Sequence, residues 1–277
     1  MAYDYELLSV TKTGRLGEVI ISNPPINLIT QQLFEEWIAL AEELEADSDI
    51  TVILFKSADP DFFMAHFDVE LILSFPVDRP AERSTDPNPF HVMCQRFRSM
   101  DKVTIAQVEG RVGGGGNEII SNMDMRFGVQ GKTIINQMEV PLGILPGGTG
   151  TQNLANIMGH GRAMEVILGG EDLDAETAER WGYLNRTYAA KDIDGKVRAL
   201  AQRIAGFPVE AVRFAKQSIN NAAGPSDKGL AEESFLFQQL IRTPDARSKM
   251  QQFLDIGGQT RDGELQLDSL VNQLKNA

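Results

Sequence analysis

Two glutamates stand in sequence surroundings that would remove a carboxylate from water. Glu118 lies two residues after the glycine run 113–116 and opens an apolar segment, and Glu139 lies within the mostly apolar stretch 137–143. Burial disfavours the charged form of a carboxyl group, so its pKa rises toward values that suit general acid–base catalysis. Each glutamate also has a structural interpretation, Glu118 as a first-turn helix acid and Glu139 as an exposed turn residue. Spacing alone does not show whether the two carboxylates meet.

Glycine-rich loops at 113–116 and 147–150 precede segments with helical spacing. Glycine lets a backbone come close to a ligand, and a helix N-terminus offers unpaired N–H groups and a positive dipole end. The combination suits a phosphate or a developing oxyanion. Nucleotide motifs do not fit, because Arg126 stands where a phosphate-binding loop ending at Gly131 needs a glycine, and no G-x-G-x-x-G follows the first predicted strand.

Other kinds of catalytic site lack their sequence signals. The histidines His66, His91 and His160 lie in no nucleophile–base motif, and neither G-x-S-x-G nor H-E-x-x-H occurs. The single cysteine, Cys94, excludes an intrachain disulfide framework and a cysteine-rich zinc site. We therefore expect no metal site and assign acid–base chemistry to carboxylates.

The composition is that of a globular protein, and its charge limits the partners. The 277 residues are 42% hydrophobic and 23% charged, with 26 basic and 39 acidic side chains and a net charge of −13. A negative field disfavours nucleic acid and anionic membranes. No segment approaches the roughly 20 apolar residues that cross a bilayer, and the first residues lack signal-peptide features. We expect a cytoplasmic protein.

Strand and helix signals form loosely repeated strand–strand–helix units, which predicts an α/β fold. The proline-rich segment 76–91 predicts a loop, and the chain after residue 151 reads as mainly helical. The predicted elements of the two units are strands at 5–10, 17–22 and 51–55 with a helix at 31–46 capped by Thr30, then strands at 103–109, 125–128 and 133–135 with a helix from Asn117.

Several motifs follow one another in a recognisable order. They are FFMAHFD at 62–68, which is close to an F-x-A-G-x-D pattern, GGGNE at 114–118, QMEVPLGILPG at 137–147, TGTQ at 149–152 and AERWG at 178–182. Together they resemble the crotonase superfamily, the enoyl-CoA hydratase/isomerase family. The resemblance runs from residue 19 to about 188 and continues more weakly beyond.

The resemblance implies an architecture and an assembly. We expect a crotonase-like spiral of ββα units over residues 1–200 and a helical C-terminal oligomerisation region over residues 201–277. The family assembles as homotrimers, often paired into hexamers. Its substrates are acyl-CoA thioesters of the kind found in fatty acid metabolism, so coenzyme A enters as part of the substrate and no separate cofactor is implied.

The resemblance also implies residue roles. The backbone N–H groups of Phe67 and Gly115 would hold the thioester oxygen, Glu118 would activate water, and Glu139 would protonate the α-carbon. The predicted activity is hydration of a trans-2-enoyl-CoA to a 3-hydroxyacyl-CoA. The alternatives are isomerisation or another crotonase-type reaction, and a non-catalytic acyl-CoA-binding paralogue. Further substrate-binding positions are predicted at Ala65, His66, Asp68, Gly114, Gln137 and Gly147.

The chain departs from the family pattern at four places. His66 replaces a glycine, which predicts a strained left-handed backbone there, and Phe67 replaces a small residue and would narrow the acyl pocket. Glu70 stands where hydratases often carry a lysine that faces CoA, and the segment 253–258 lacks a basic residue. His66 and the missing basic residues favour the non-catalytic alternative.

Overall fold

The computed structural model describes residues 3–84, 86–222 and 227–274, and this part of the chain forms ten strands and thirteen helices. The strands are β1 (Leu8–Thr13), β2 (Leu16–Ile21), β3 (Val52–Ser57), β4 (Phe62–Met64), β5 (Val103–Val108), β6 (Arg111–Val112), β7 (Met125–Val129), β8 (Ile134–Ile135), β9 (Leu173–Asp174) and β10 (Arg186–Tyr188). The helices are α1 (Gln31–Ala46), α2 (Val69–Leu73), α3 (Pro89–Ser99), α4 (Gly114–Ser121), α5 (Gly150–Met158), α6 (His160–Gly169), α7 (Ala175–Arg180), α8 (Ile193–Ala205), α9 (Val209–Ala222), α10 (Asp227–Leu240), α11 (Pro244–Asp255), α12 (Arg261–Glu264) and α13 (Leu267–Gln273).

The strands form two sheets that the chain visits in alternation. One sheet has the order β1-β2-β3-β5-β7-β10 and the other the order β4-β6-β8-β9. In the larger sheet only the β1–β2 pair is antiparallel. In each of the consecutive pairs β3/β4, β5/β6 and β7/β8, the first strand joins the larger sheet and the second joins the smaller one. Each of these repeats of the spiral therefore adds one strand to both sheets. This confirms the predicted ββα organisation.

Helix α1 has the predicted bounds. The Thr30 side chain accepts a hydrogen bond from the N–H of Leu33 and so caps the helix. The apolar positions at helical spacing, including Trp37, are the buried ones. Trp37 packs against Phe55 and Phe97 with ring centroids 5.5 Å away in both cases, which fixes α1 onto β3 and α3.

Helix α4 begins at Gly114, three residues before the predicted start at Asn117. Glycine is a poor helix former, so propensity alone places the start too late. Packing overrides it, because a Cβ added at Gly116 would lie 2.8 Å from the Met64 carbonyl oxygen. Only glycine allows this helix to approach β4 so closely.

The predicted loop at 76–91 is wrong at its end. Helix α3 begins at Pro89, with Asn88 as N-cap accepting a hydrogen bond from the N–H of His91 at 2.8 Å. Proline in the first turn needs no intrahelical acceptor and is compatible with the helix. The short elements β4, α2 and β10 were not predicted, and β10 pairs with β7 at the edge of the larger sheet.

The C-terminal helices pack onto the body of the same chain. Residues of α11 and α13, including Phe253 and Val271, share a buried cluster with Val69 of α2 and with Met138 and Leu142. Helices α11 and α13 therefore contribute to the core, and the oligomerisation role of residues 201–277 stays a prediction. Among the described residues, no helix has both the length and the apolar character to cross a membrane.

The glycine contact at α4 yields a stability prediction. Gly116→Ala should lower the free energy of unfolding by about 1–3 kcal/mol, because the Met64 backbone cannot move away from the new methyl group. Gly195→Ala is the matched control, since the exposed Gly195 of α8 has no atom within 4 Å of the added Cβ. The free energy of unfolding of Gly195→Ala should rise by about 0.5–1 kcal/mol, because alanine has a higher helix propensity than glycine. Denaturant unfolding measures both, and equal stability of the two variants would contradict the packing argument.

Candidate active site

One cavity of about 390 Å³ contains six of the predicted site residues, His66, Phe67, Gly115, Glu118, Glu139 and Gly147. The two glutamates come from different layers, Glu118 from α4 and Glu139 from the segment after β8. The remaining lining residues are largely apolar and are contributed by α1, α2, α3, α10 and the segment 138–148. The structure therefore brings together carboxylates that are 21 positions apart in the chain.

Glu118 is held by the N-terminus of α5. Its Oε1 accepts hydrogen bonds from the N–H groups of Gly148 and Gly150, both at 2.8 Å. Burial and the nearby carboxylates of Glu139 and Glu233 raise the pKa of Glu118 well above its ordinary value, while the two backbone donors act in the opposite direction. Oε2 accepts no hydrogen bond from the described residues and is free to take one from water.

Glu139 is buried with one oxygen unpaired. Its Oε1 accepts a hydrogen bond from Nε2 of Gln137 at 3.0 Å, and its Oε2 has no partner among the described residues. Burial, the largest influence, raises the pKa of Glu139 to about 7, although the Gln137 donor and the charge of His66 lower it. Such a group exchanges protons near neutral pH.

Gln137 positions Glu139 and does not line the cavity. The Gln137 Oε1 accepts a hydrogen bond from Nδ2 of Asn117 at 2.6 Å, and Asn117 in turn accepts one from the Tyr183 hydroxyl. This buried chain fixes which end of the Gln137 amide faces Glu139. A direct substrate contact for Gln137 remains a prediction.

The backbone N–H groups of Phe67 and Gly115 lie next to each other. Phe67 forms a parallel bridge with Ile29, in which the neighbouring groups His66 O and Asp68 N make the hydrogen bonds, so the Phe67 N–H is left out. Gly115 lies in the first turn of α4, where no intrahelical acceptor exists. Within the described residues neither N–H has an acceptor, and a Cβ built on Gly115 would lie 3.4 Å from the Phe67 nitrogen. Two adjacent unpaired donors can hold an oxyanion.

Ala65, Asp68 and Gly114 lie beside the cavity and support its wall. The Ala65 N–H donates to the Ile26 carbonyl, and the Asp68 side chain caps α2. Gly114 has φ +43°, and a Cβ there would come within 2.9 Å of His66 Cβ and 3.1 Å of Glu139 Oε1. Substrate binding by these three residues stays a prediction.

His66 does not have the strained backbone that its sequence position predicts, since no positive φ occurs there. Its side chain is 3% exposed and pairs with Glu264 of α12, whose Oε1 lies 3.1 Å from Nε2. The left-handed residue of this region is instead Gly114, which leaves room for the histidine. Sequence reasoning missed Glu264, because a four-residue helix carries no periodic signal.

Glu233 of α10 is a third buried carboxylate at this site. It accepts hydrogen bonds from the N–H groups of Thr149 (2.7 Å) and Thr151 (3.0 Å) and from the Thr151 hydroxyl, and it lies 3.3 Å from Nε2 of His91. The same helix N-terminus thus binds Glu118 and Glu233 through alternate amides. Helical spacing with Leu230 and Phe237 would have placed Glu233 on the buried face.

Phenylalanine rings wall the cavity beside Glu118. Phe34 contacts Phe67 and Phe90 with ring centroids 5.7 Å away in both cases. A Cβ at Gly148 would lie 2.4 Å from the Phe90 ring, and one at Gly147 would lie 2.7 Å from the Phe237 ring. The two glycines therefore allow these rings to close on the backbone that holds Glu118, and the resulting chamber suits an apolar group. Within the described residues no group of His, Cys, Asp and Glu has the arrangement of a metal site.

Comparison with known proteins agrees with this geometry. The family model described as Enoyl-CoA hydratase/isomerase matches residues 11–259. The probable enoyl-CoA hydratase echA8 of Mycobacterium bovis is 31% identical over 91% of this chain and 96% of its own, and the short-chain-enoyl-CoA hydratase of Clostridium acetobutylicum is 27% identical over 88% and 93%. The chain belongs to the enoyl-CoA hydratase/isomerase family and has the crotonase fold.

Solved structures show the same fold. One from Streptomyces avermitilis, provisionally described as an enoyl-CoA hydratase, superposes with a TM-score of 0.89 at 33% identity and covers 99% of this chain and 100% of that one. Pseudomonas aeruginosa DspI superposes with a TM-score of 0.72 at 26% identity over 98% of this chain and 95% of that one. The similarity extends over the C-terminal helices, where the resemblance in sequence motifs is weak.

The contacts of Glu233 yield a prediction. Glu233→Gln should lower the free energy of unfolding by roughly 2–4 kcal/mol, because the Thr149 and Thr151 N–H groups donate to different carboxylate oxygens and an amide replaces one of these acceptors by a donor. Glu232→Gln is the matched control, since the carboxylate of Glu232, next to Glu233 in the chain, forms only a surface ion pair with Arg83. That change should cost less than about 1 kcal/mol. Chemical denaturation compares the variants, and a similar loss in both would argue against Glu233 as the cap of α5.

Proposed function

We propose that this protein hydrates a trans-2-enoyl-CoA to the 3-hydroxyacyl-CoA. One observation carries the proposal: Glu118 and Glu139 line the same cavity as Phe67 and Gly115, whose adjacent backbone N–H groups have no acceptor among the described residues. The activities named for the M. bovis and C. acetobutylicum relatives support the same reaction. A scaffold without catalysis would have no need for two desolvated carboxylates beside an oxyanion site.

The two backbone donors bind the thioester oxygen. When water adds to the β-carbon, the electrons of the double bond move toward the carbonyl and negative charge builds on that oxygen. Donors that are already aimed at the oxygen stabilise this enolate more than the neutral thioester. Because they are backbone groups, the phenyl side chain at position 67 does not alter their chemistry.

The carboxylates move the protons. Glu118, whose Oε1 accepts hydrogen bonds from the N–H groups of Gly148 and Gly150, takes a proton from the water whose oxygen bonds to the β-carbon. Glu139, with its raised pKa, donates a proton to the α-carbon and becomes ionised. Exchange of one proton between the two carboxyl groups, or with solvent, restores the starting state. The pair is thus active with one proton bound.

The acyl group would occupy the phenylalanine-lined chamber beside Glu118. The part of the wall that carries the oxyanion donors would be held in place by Asp68, Gly114 and Ala65, which would contribute to substrate binding in this way. The chemistry needs no cofactor beyond the coenzyme A of the substrate. The family resemblance supports a role in fatty acid metabolism, and the sequence features described above favour the cytoplasm as its location.

The family resemblance also supports assembly as a homotrimer or a dimer of trimers. Helix α6 exposes Met164 (48%) and Leu168 (58%) on one face, and α9 exposes Phe214 and Ile219. Apolar side chains of this size are common at subunit contacts. Sedimentation of the purified chain tests the assembly, and a monomer at micromolar concentration would exclude it.

The acid–base assignment yields a mutational prediction. Glu139→Gln and Glu118→Gln should each reduce kcat for 2-enoyl-CoA hydration by at least about 10²-fold, because each removes one proton transfer from the transition state. Glu165→Gln on the exposed surface of α6 is the matched control and should change kcat less than about twofold. Loss of the enoyl thioester absorbance measures the rate.

The same variants separate the alternatives. If only Glu139→Gln loses activity, one carboxylate suffices, and a 3-enoyl-CoA in place of a 3-hydroxyacyl-CoA as product would identify an isomerase-type proton shuttle. If the unaltered protein binds 2-enoyl-CoA in calorimetry and turns over no chain length, the non-catalytic alternative holds and the hydratase proposal is wrong.

The raised pKa of Glu139 yields a pH prediction. The acid must be protonated, so hydration is present below its pKa and is lost as pH rises through about 7. A glutamate with an ordinary pKa near 4.3 would already be ionised two units lower. The profile of kcat/KM between pH 5 and 9 measures this loss of activity on the alkaline side, which we call the alkaline limb. A constant kcat/KM across this range would contradict the role of Glu139.

A further inference from the structure

His66 lines the cavity between the predicted oxyanion donor and the predicted acid, yet its ring cannot act on the substrate as an acid or base. Nδ1 lies 2.9 Å from the Phe67 carbonyl oxygen, and Nε2 lies 3.1 Å from Glu264 Oε1. Both ring nitrogens are occupied by protein acceptors. Any influence of His66 on the reaction must therefore come from its charge and from the backbone that it holds.

The contacts favour a charged ring. A carbonyl oxygen only accepts hydrogen bonds, so Nδ1 carries a hydrogen. Nε2 then pairs with the ionised Glu264 only if it carries a hydrogen as well, which makes the ring an imidazolium. Glu264 is 1% exposed and also accepts from the N–H of Gln259 at 2.7 Å, a donor that stabilises its ionised form. The pair is a buried imidazolium–carboxylate ion pair.

The proton affinities agree with this assignment. Burial, the largest influence, lowers the pKa of His66, but Glu264, the Phe67 carbonyl and Glu139 together raise it above its ordinary value. For Glu264 burial raises the pKa, and His66, the Gln259 N–H and Arg111 bring it below its ordinary value. Each partner thus favours the charged form of the other.

The charge faces Glu139 across a glycine. A Cβ at Gly114 would lie 2.9 Å from His66 Cβ and 3.1 Å from Glu139 Oε1, so Gly114 places no side chain between these two residues. The other neighbours of the pair are either neutral or already paired. The Phe253 ring of α11 lies 5.9 Å from the His66 ring, and Arg111 of β6 forms an ion pair with Asp172.

The carboxylate that keeps His66 charged comes from the C-terminal segment. Glu264 is 198 positions from His66, and Gln259, five residues before Glu264, forms hydrogen bonds with the residues that follow His66. Its side chain accepts from the Val69 N–H and donates to Asp68 Oδ1. The segment 259–264 therefore holds residues 66–69, which carry one oxyanion donor, in a single position.

We propose that His66 is a positioning residue, a buried imidazolium kept charged by Glu264, which sets the proton affinity of Glu139 and fixes the backbone of the oxyanion donor at Phe67. The proposal rests on the proposed function in so far as Glu139 is the acid. It assigns an electrostatic role to the histidine that replaces glycine in the family motif. The C-terminal segment thereby becomes part of the acid–base machinery.

Two variants remove the same charge by different routes. His66→Asn deletes the imidazolium, and Glu264→Gln removes the carboxylate that keeps the ring protonated. Both should move the alkaline limb of kcat/KM to higher pH by about one unit, because the charge of His66 lowers the pKa of Glu139 and a nearby opposite charge typically lowers the pKa of a carboxyl group by about that much or more. Phe253→Leu is the matched control, since it disturbs the packing of the same ring without changing charge. Its limb should stay in place.

Nuclear magnetic resonance provides a readout that needs no turnover. In histidine-labelled protein the His66 ring, assigned with His66→Asn, should show imidazolium shifts at pH 7, and in Glu264→Gln it should be neutral there. In glutamate-labelled protein Glu139, assigned with Glu139→Gln, should titrate at higher pH in both charge variants than in the unaltered chain. If one variant does not fold, the other carries the comparison.

The outcomes separate this proposal from the hydratase assignment. A neutral His66 at pH 7 in the unaltered protein, or a Glu139 titration that neither charge variant moves, would overturn the proposal whatever the activity. An equal shift in Phe253→Leu would reduce His66 to a packing role. If hydration is absent but the resonances behave as expected, the proposed function fails while the electrostatic coupling stands.

Discussion

The site depends on how a protein keeps carboxylates in an apolar cavity. An ionised carboxylate buried without donors is strongly destabilising, so each one must be matched by hydrogen bonds or opposite charge. The N-terminus of α5 meets this need for two of them, with the amides of residues 148 and 150 on Glu118 and those of 149 and 151 on Glu233. The position of α5 therefore decides where Glu118 can stand.

Glycines permit the close approaches on which this arrangement relies. Gly115 and Gly116 bring α4 against the segment 64–67, and Gly147 and Gly148 bring two phenyl rings against the loop before α5. At each position an added methyl group would lie within 3.1 Å of a neighbour. The same property that makes glycine a weak helix former thus allows the N–H groups of Phe67 and Gly115 and the two carboxylates to share one cavity.

The C-terminal helices complete the site within their own chain. Glu233 and Phe237 of α10 contact the segment 147–151, and Glu264 of α12 contacts His66. The same helices can cover the cavity with one face and offer the opposite face to other subunits, because a helix presents different faces to the core and to the outside. Changes on the inner faces of these helices would therefore alter the cavity, whereas the proposed assembly would depend on their outer faces.

Local patterns in the sequence determined much of the fold and the two central residues. The spacing of apolar residues in α1, the Thr30 cap, the repeated ββα units and the placement of Glu118 and Glu139 after recognisable motifs all depend on neighbours within a few turns of chain. Only the tertiary structure decided the start of α4, the helix at the end of the predicted loop 76–91, the unstrained backbone of His66 and the recruitment of Glu233 and Glu264. These features arise from contacts between segments far apart in the chain, such as His66 with Glu264. A single sequence carries no local signal of such pairs, because periodicity and propensity describe which face of an element is buried and not which residue lies opposite.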